Sequence, residues 1–257
     1  MHWTRASLLV PMVLSLFFIP LAQAAQQPPV STPPGGNPAP LPAQPSAVPP
    51  AIAKIPPARV QPRFLVVIDP AHGGTDSGAR LNAQMLEKDL VLALALRLRS
   101  ALNAHGISVI TTRESDALVS PVSRAETADH AVAAACISLH ATATGSGVHL
   151  FTSSLTEIPV ERFLPWDTAQ GAYAQQSLRL SSEIDSAMAH AEIPVTLGRT
   201  ALKPLDNFTC PAVAVEIAPL SVSGRVTPLS DPAYQSRVVA TLGAAIEQWE
   251  RDWRQQP

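Results

Sequence analysis

Apolar residues recur along the chain in two rhythms. Residues 64–69 (FLVVID) form a short β-branched run that leads straight into PAHGGTDSGA, and a run of that length ending in glycines reads as a buried strand feeding a loop. From residue 87 the period changes: EKDLVLALALRLRSALNAHG spaces Leu90, Leu94, Leu98 and Leu102 four apart, with Glu87 and Asp89 early and Gly106 at the stop. That pattern predicts an amphipathic helix, and the acidic residues suit its positive end. Further strands are predicted at 107–112 (ISVITT), 135–140 (ACISLH), 147–153 (GVHLFTS) and 211–218 (PAVAVEIA). Between and after them, Ser120-Pro121 opens a helix through residue 133, Asp167 caps a long helix to about residue 192, and Ser230-Asp231-Pro232 caps a closing helix carrying Val238, Leu242, Ile246 and Trp249.

Strands alternating with helices predict an α/β fold, a single domain with a mostly parallel sheet covered by helices on both faces. In such sheets ligands bind outside the carboxyl ends of the strands. His72 follows the first strand, His140 ends the third, Glu216 lies near the end of the last, and Glu87 begins a helix that descends from the same rim. Topology alone therefore brings four groups able to bind a metal or move a proton to one edge.

Composition divides the chain into three. Residues 1–24 open with MHWTR, run through an apolar stretch and close on Ala22-Gln23-Ala24, which predicts a cleaved secretory signal peptide, with a retained membrane anchor as the alternative. Half of the 26 prolines then fall between residues 28 and 62. The segment 25–62 has no apolar period and almost no charge, and reads as a disordered, proline-rich spacer. Residues 63–257 remain as the folded domain, long enough for one substantial core. A formal net charge of -2 and the absence of a basic run exclude nucleic acid as an expected partner. The domain holds both cysteines, Cys136 and Cys210; an exported chain permits a disulfide between them, and two buried thiols are equally compatible with the sequence.

Two imidazoles, a carboxylate and a second carboxylate are the parts of a hydrolytic zinc site: three ligands, an open position, and a base beside it. Seven histidines leave the choice open on residues alone. His2 leaves with the leader, His105 suits a helix end, and His130 and His190 fall on helix surfaces. His149, in an alternating strand near the rim, is a candidate for substrate contact. A histidine in SLHAT, taken by itself, fits a hydrogen-bonded structural role better than ligation.

The blocks VVIDPAHGGTDSGA, LEKDLVLALALRLRSAL, TRESDALVSPVSRAETAD, ISLHA and PAVAVEIAPLS resemble, in that order, the motifs of the zinc-dependent N-acetylmuramoyl-L-alanine amidase family, of the amidase_3 type. The resemblance spans most of residues 64–222. It implies a compact α/β domain with one Zn2+ per chain that hydrolyses peptidoglycan between N-acetylmuramic acid and L-alanine of the stem peptide. By position, it implies His72, Glu87 and His140 as metal ligands, Glu216 as the catalytic carboxylate, and Arg199 as a substrate contact. Ala71, Thr142 and the APLSV after Glu216 depart from the family's usual residues, and none of them removes a ligand. Regulated members carry a blocking helix ahead of the final Glu; here residues 155–166 are too short for one and read as a groove wall or surface loop. The expected molecule is an exported monomer of the periplasm or cell envelope, whose partner is peptidoglycan and whose activator, if any, is unidentified. The alternatives are a non-catalytic peptidoglycan-binding module and a zinc peptidase acting within the stem peptide.

Overall fold

A computed structural model describes residues 63–159 and 165–255. The predicted leader and spacer, and residues 160–164 of the irregular stretch before the third helix, lie outside the described residues. Six strands form the main sheet: β1 (Leu65–Pro70), β2 (Ser108–Thr111), β3 (Ala135–Ala141), β4 (Val148–Ser153), β5 (Val195–Thr200) and β6 (Ala212–Ile217), in the order β2-β1-β3-β6-β4-β5. The pairs among β2, β1, β3 and β6 are parallel, and so is β4 with β5. Only β4 against β6 is antiparallel.

Side chains on successive strand residues point to opposite faces, and the core divides accordingly. Val66, Ile68, Ile137, Val213 and Val215 pack with the apolar stripes of α1 (Glu87–Ala104), α3 (Ala174–His190) and α4 (Pro232–Arg254). Val67, Cys136, Ala212 and Ala214 face the other way, onto Ala125 and Ala128 of α2 (Pro121–Ala131) and onto Leu205 and Phe208. Helices thus cover both faces, as the alternation predicts. The starts of α2 and α4 follow their sequence signals: Ser120 Oγ accepts from the Ser123 amide at 3.1 Å, and Asp231 Oδ1 from the Tyr234 amide at 2.8 Å.

One predicted element comes out differently, and two are added. The helix expected from Asp167 is split, with a 3-10 segment over Trp166–Tyr173 before α3. Buried Gln170 donates to the carbonyls of Phe208 and Cys210, at 2.8 and 3.0 Å, and accepts from Ser177. The chain is thus tied to the loop before β6 and does not open directly into a regular helix. The sequence reading also omits β5 and a small hairpin of β7 (Leu220–Val222) with β8 (Arg225–Thr227). Cys136 and Cys210 form a disulfide with Cα atoms 6.1 Å apart, both side chains buried.

Candidate metal centre

β1 ends on Pro70, and the next residues turn under tight control. His72 has φ of 60°, a backbone conformation that costs a residue with a Cβ on the order of 1 kcal/mol. Two buried arginines hold it there. Arg113 donates from Nε to the Pro70 carbonyl and from Nη2 to those of Ala71 and Lys88, at 2.8 to 2.9 Å. Arg124 donates to the Pro70 and His72 carbonyls at 2.7 and 2.6 Å and pairs with Asp69 Oδ1 at 2.7 Å. Three successive carbonyls that a loop would otherwise leave to water are thereby satisfied by two guanidiniums. Ala71 itself is buried and is not among the positive-φ residues, so its Cβ is compatible with the turn.

Glu87 opens α1 and is 5% exposed. Its carboxylate meets both imidazoles: Oε2 lies 3.2 Å from His72 Nε2, and Oε1 lies 3.1 Å from His140 Nδ1. The backbone amides of Ala79 and Ala141 donate to the same two oxygens at 2.8 and 3.1 Å. Burial pushes the Glu87 carboxyl up, but the hydrogen bonds from His140, His72, Ala79 and Ala141 outweigh it and hold the group well below the usual carboxylate range. Ligand atoms of His72, Glu87 and His140 all lie within 4.8 Å of one another. The His72 ring is fixed from behind by Asp76, whose Oδ2 is 2.8 Å from Nδ1. Hydrogen bonds with Glu87 and then Asp76 raise the His72 pKa against the effect of burial. A carboxylate behind a ligating imidazole is the usual way to set its tautomer and orientation. Gly78, with φ of 63°, packs directly on the cluster: a Cβ there would stand 2.6 Å from His72 Cδ2 and 2.7 Å from Glu87 Oε2.

The sheet register supplies the fourth group. His140 on β3 and Glu216 on β6 are directly paired in parallel strands, and Glu216 is directly paired with His149 on β4. Paired residues share a face of the sheet, so the three side chains stand in a row along the rim. His149 Nδ1 is 2.7 Å from Glu216 Oε2. Arg199 does not join them. It sits near the far end of β5, where its guanidinium donates to the Ser153 and Leu155 carbonyls at 3.0 and 2.7 Å. Sequence reasoning passed over Asp76, Gly78, Arg113 and Arg124. Asp76 has a signal, four residues after His72, while the two arginines reach the carbonyls of the turn from more than forty positions away.

Ligand atoms gathered on one rim, with a further carboxylate beside them, equip a protein for metal-assisted hydrolysis, and the sheet presents them where α/β enzymes of that class hold their substrates. Sequence comparison narrows the class. The model of the N-acetylmuramoyl-L-alanine amidase family matches residues 66–248, and the chain belongs to that family of amide hydrolases. The germination-specific N-acetylmuramoyl-L-alanine amidase of Bacillus subtilis (strain 168) is 28% identical over 202 residues, covering 71% of this chain and 78% of that protein. The N-acetylmuramoyl-L-alanine amidase AmiA of Escherichia coli (strain K12) is 42% identical over 77 residues, but these span only 27% of its length. Among solved structures, the N-acetylmuramoyl-L-alanine amidase AmiC2 of Nostoc punctiforme shares the fold, with a TM-score of 0.56 at 23% identity, covering 73% of this chain and 97% of that one.

Proposed function

We propose that the chain is an exported enzyme that hydrolyses the amide between the lactyl group of N-acetylmuramic acid and L-alanine of the stem peptide in peptidoglycan, using one zinc ion held by His72, Glu87 and His140. The observation that carries this reading is the convergence of those three residues beside Glu216. The imidazoles approach the Glu87 carboxylate at 3.2 Å from Oε2 and 3.1 Å from Oε1, and one ligand atom from each of the three residues lies within 4.8 Å of the others, a spacing that a single zinc with bonds of about 2.0 to 2.1 Å draws together with small side-chain movements. Two nitrogens and a carboxylate oxygen are a donor set zinc favours in catalytic sites, where a fourth position stays open.

A bound zinc supplies Lewis acidity for the scissile carbonyl and brings the pKa of an attacking water toward roughly 7. Glu216, half-exposed at the rim, accepts a proton from the attacking water as the new carbon–oxygen bond forms. The same carboxyl then gives the proton to the departing nitrogen as the carbon–nitrogen bond breaks. The products are a free lactyl carboxylate and a stem peptide with a free amine. Asp76 and the Ala79 and Ala141 amides hold His72 and Glu87 in place throughout.

The disulfide supports export, since such bridges persist in oxidising compartments such as the periplasm, and the proline-rich segment suits a spacer between envelope and domain. Digestion of purified sacculi by the full chain tests the function: stem peptides are released intact, with muramic carboxyl groups left on the glycan, and a chelator stops the release. Glu216→Gln keeps its metal and loses on the order of 100-fold or more in rate, whereas His140→Ala loses the metal. Undiminished activity of Glu216→Gln, or fragments cut within the stem peptide, sinks the reading.

A further inference from the structure

β4 runs against β6, and this decides which end of the strand reaches the metal rim. Had β4 been parallel to its neighbour, as the βαβ pattern elsewhere in the sheet leads one to expect, its early residues would lie at the opposite edge. Instead His149, the second residue of β4, is brought level with Glu216, near the end of β6. The contact is direct, with Nδ1 2.7 Å from Oε2. An ionised carboxylate offers only acceptors, so with Glu216 serving as the base the proton in this bond is the one on His149 Nδ1.

The imidazole is itself confined. Gly145, with φ of 90°, passes so close that a Cβ there would lie 2.5 Å from His149 Cε1 and 2.7 Å from Nε2. Only a glycine leaves room for the ring, and the backbone conformation is one that glycine adopts without strain. Below the ring, the amide of Ala218 donates to the Gly147 carbonyl at 2.9 Å, and the hydroxyl of Tyr234 spans the carbonyls of Gly147 and Ala218 at 3.2 and 2.9 Å. The segment that carries His149 is thus fastened to the segment that follows Glu216. A glutamate side chain at a half-exposed position has three torsions to lose, the last of them broad. His149 removes that freedom from one oxygen, and among the described residues Oε1 has no hydrogen-bond partner.

We propose that His149 is a positioning residue of the hydrolytic reaction: by donating from Nδ1 to Glu216 Oε2, it fixes the carboxylate so that Oε1 faces the attacking water and then the leaving nitrogen. This rests on the reading of Glu216 as the proton-transfer group. Misplacing a reacting group by about 1 Å costs on the order of 100-fold, so the effect falls on turnover and not on substrate or metal binding.

The test uses the full, zinc-loaded chain on a soluble muramoyl peptide. His149→Phe, which keeps the bulk of the ring and removes the donor, is expected to lower kcat about 10- to 100-fold, with KM within about twofold and zinc per chain unchanged. His149→Asn, whose amide nitrogen stands near the position of Nδ1, is expected to restore most of that loss. Nitrogen-15 spectra of histidine-labelled protein, recorded without substrate, are expected to show His149 protonated on Nδ1. The proposal is overturned if His149→Phe keeps wild-type kcat, if its defect lies in KM or in zinc content, if His149→Asn is no better than His149→Phe, or if Nδ1 is bare. Glu216→Gln in the same assay separates the two readings. Full activity there removes the base assignment and this inference with it; an inactive Glu216→Gln beside an unimpaired His149→Phe removes this inference alone.

Discussion

A side chain in a strained backbone conformation has to be held by something, and at His72, a candidate metal ligand, the restraint comes from groups remote in sequence. The Arg124 pair with Asp69 is almost fully buried, and loss of one partner from such a pair costs about 3 to 5 kcal/mol because the other charge is left without compensation. Gly78 shows a narrower dependence. Its φ of 63° and its contact with His72 and Glu87 leave no space for a methyl group, yet the residue is part of a surface loop and not of the core. Gly78→Ala is therefore expected to weaken zinc binding at least about tenfold, as the His72 and Glu87 side chains shift from their places, while thermal stability falls by only about 1 kcal/mol. Chelator competition and a melting curve on the same preparation measure the two effects; a variant that melts normally and binds zinc as tightly as wild type contradicts the packing argument. The convergence of His72, Glu87 and His140 was legible because each stands near a strand or helix end and inside a block that resembles the family's motifs. The residues behind them were not, because Arg113 and Arg124 read as ordinary polar positions until the fold brings them under the turn.

Among the elements, α1, α3 and α4 were plain in the sequence because each carries an apolar stripe long enough to display its period, although α3 starts later than its sequence signal, while α2 and α4 announce their starts with a capping residue followed by proline. β5 was missed for the opposite reason: VTLGRT is an edge strand with no buried residue and with a glycine and an arginine in it, so no burial pattern marks it. The direction of β4 was hidden as well, since alternation along a strand says nothing about which way its neighbour runs. What fixes the β4 and β6 pair at the rim is partly α4, through Tyr234. Burial pushes its hydroxyl up to about 12, against a weaker opposing effect of Arg237. The folded protein therefore keeps the phenol protonated where the unfolded chain, ionising near 10, gives the proton up. The stabilisation from this group is fully present below pH 10 and is lost as pH rises from about 10 through about 12. Tyr234→Phe is expected to cost about 1 kcal/mol at pH 8, for the hydrogen bonds to the Gly147 and Ala218 carbonyls. Urea midpoints at pH 8 and pH 11.5 should show the gap between wild type and variant closing at the higher pH, and a constant gap contradicts the assignment.

At the scale of the molecule, the α/β class and the rim that carries the chemistry followed from the order of strands and helices, whereas the disulfide could not, because pairing needs a distance that spacing along the chain does not give. The Cys136–Cys210 bridge joins the start of β3 to the loop two residues before β6, and these two strands carry His140 and Glu216. It is tempting to give it a part in aligning those residues. The register argues otherwise: β3 and β6 are paired continuously from Cys136 with Ala212 to Ala141 with Ile217, and the ladder alone sets His140 beside Glu216. What the bridge constrains is the unfolded chain, across a sequence separation of 74, for which loop-closure entropy predicts about 4 kcal/mol. Replacing both cysteines by serine is thus expected to lower the melting temperature by roughly 10 °C for a domain of this size, while kcat at 25 °C and zinc content stay within about twofold of wild type. A double variant that melts as the wild type does would assign the bridge no role in stability, and one that folds well but loses turnover would mean that the two strands need the covalent link to hold the rim in register. The first measurement is a melting curve in the absence of reductant, the second a rate on sacculi at a temperature where both proteins are folded, and only their combination separates a brace on the unfolded chain from a brace on the site.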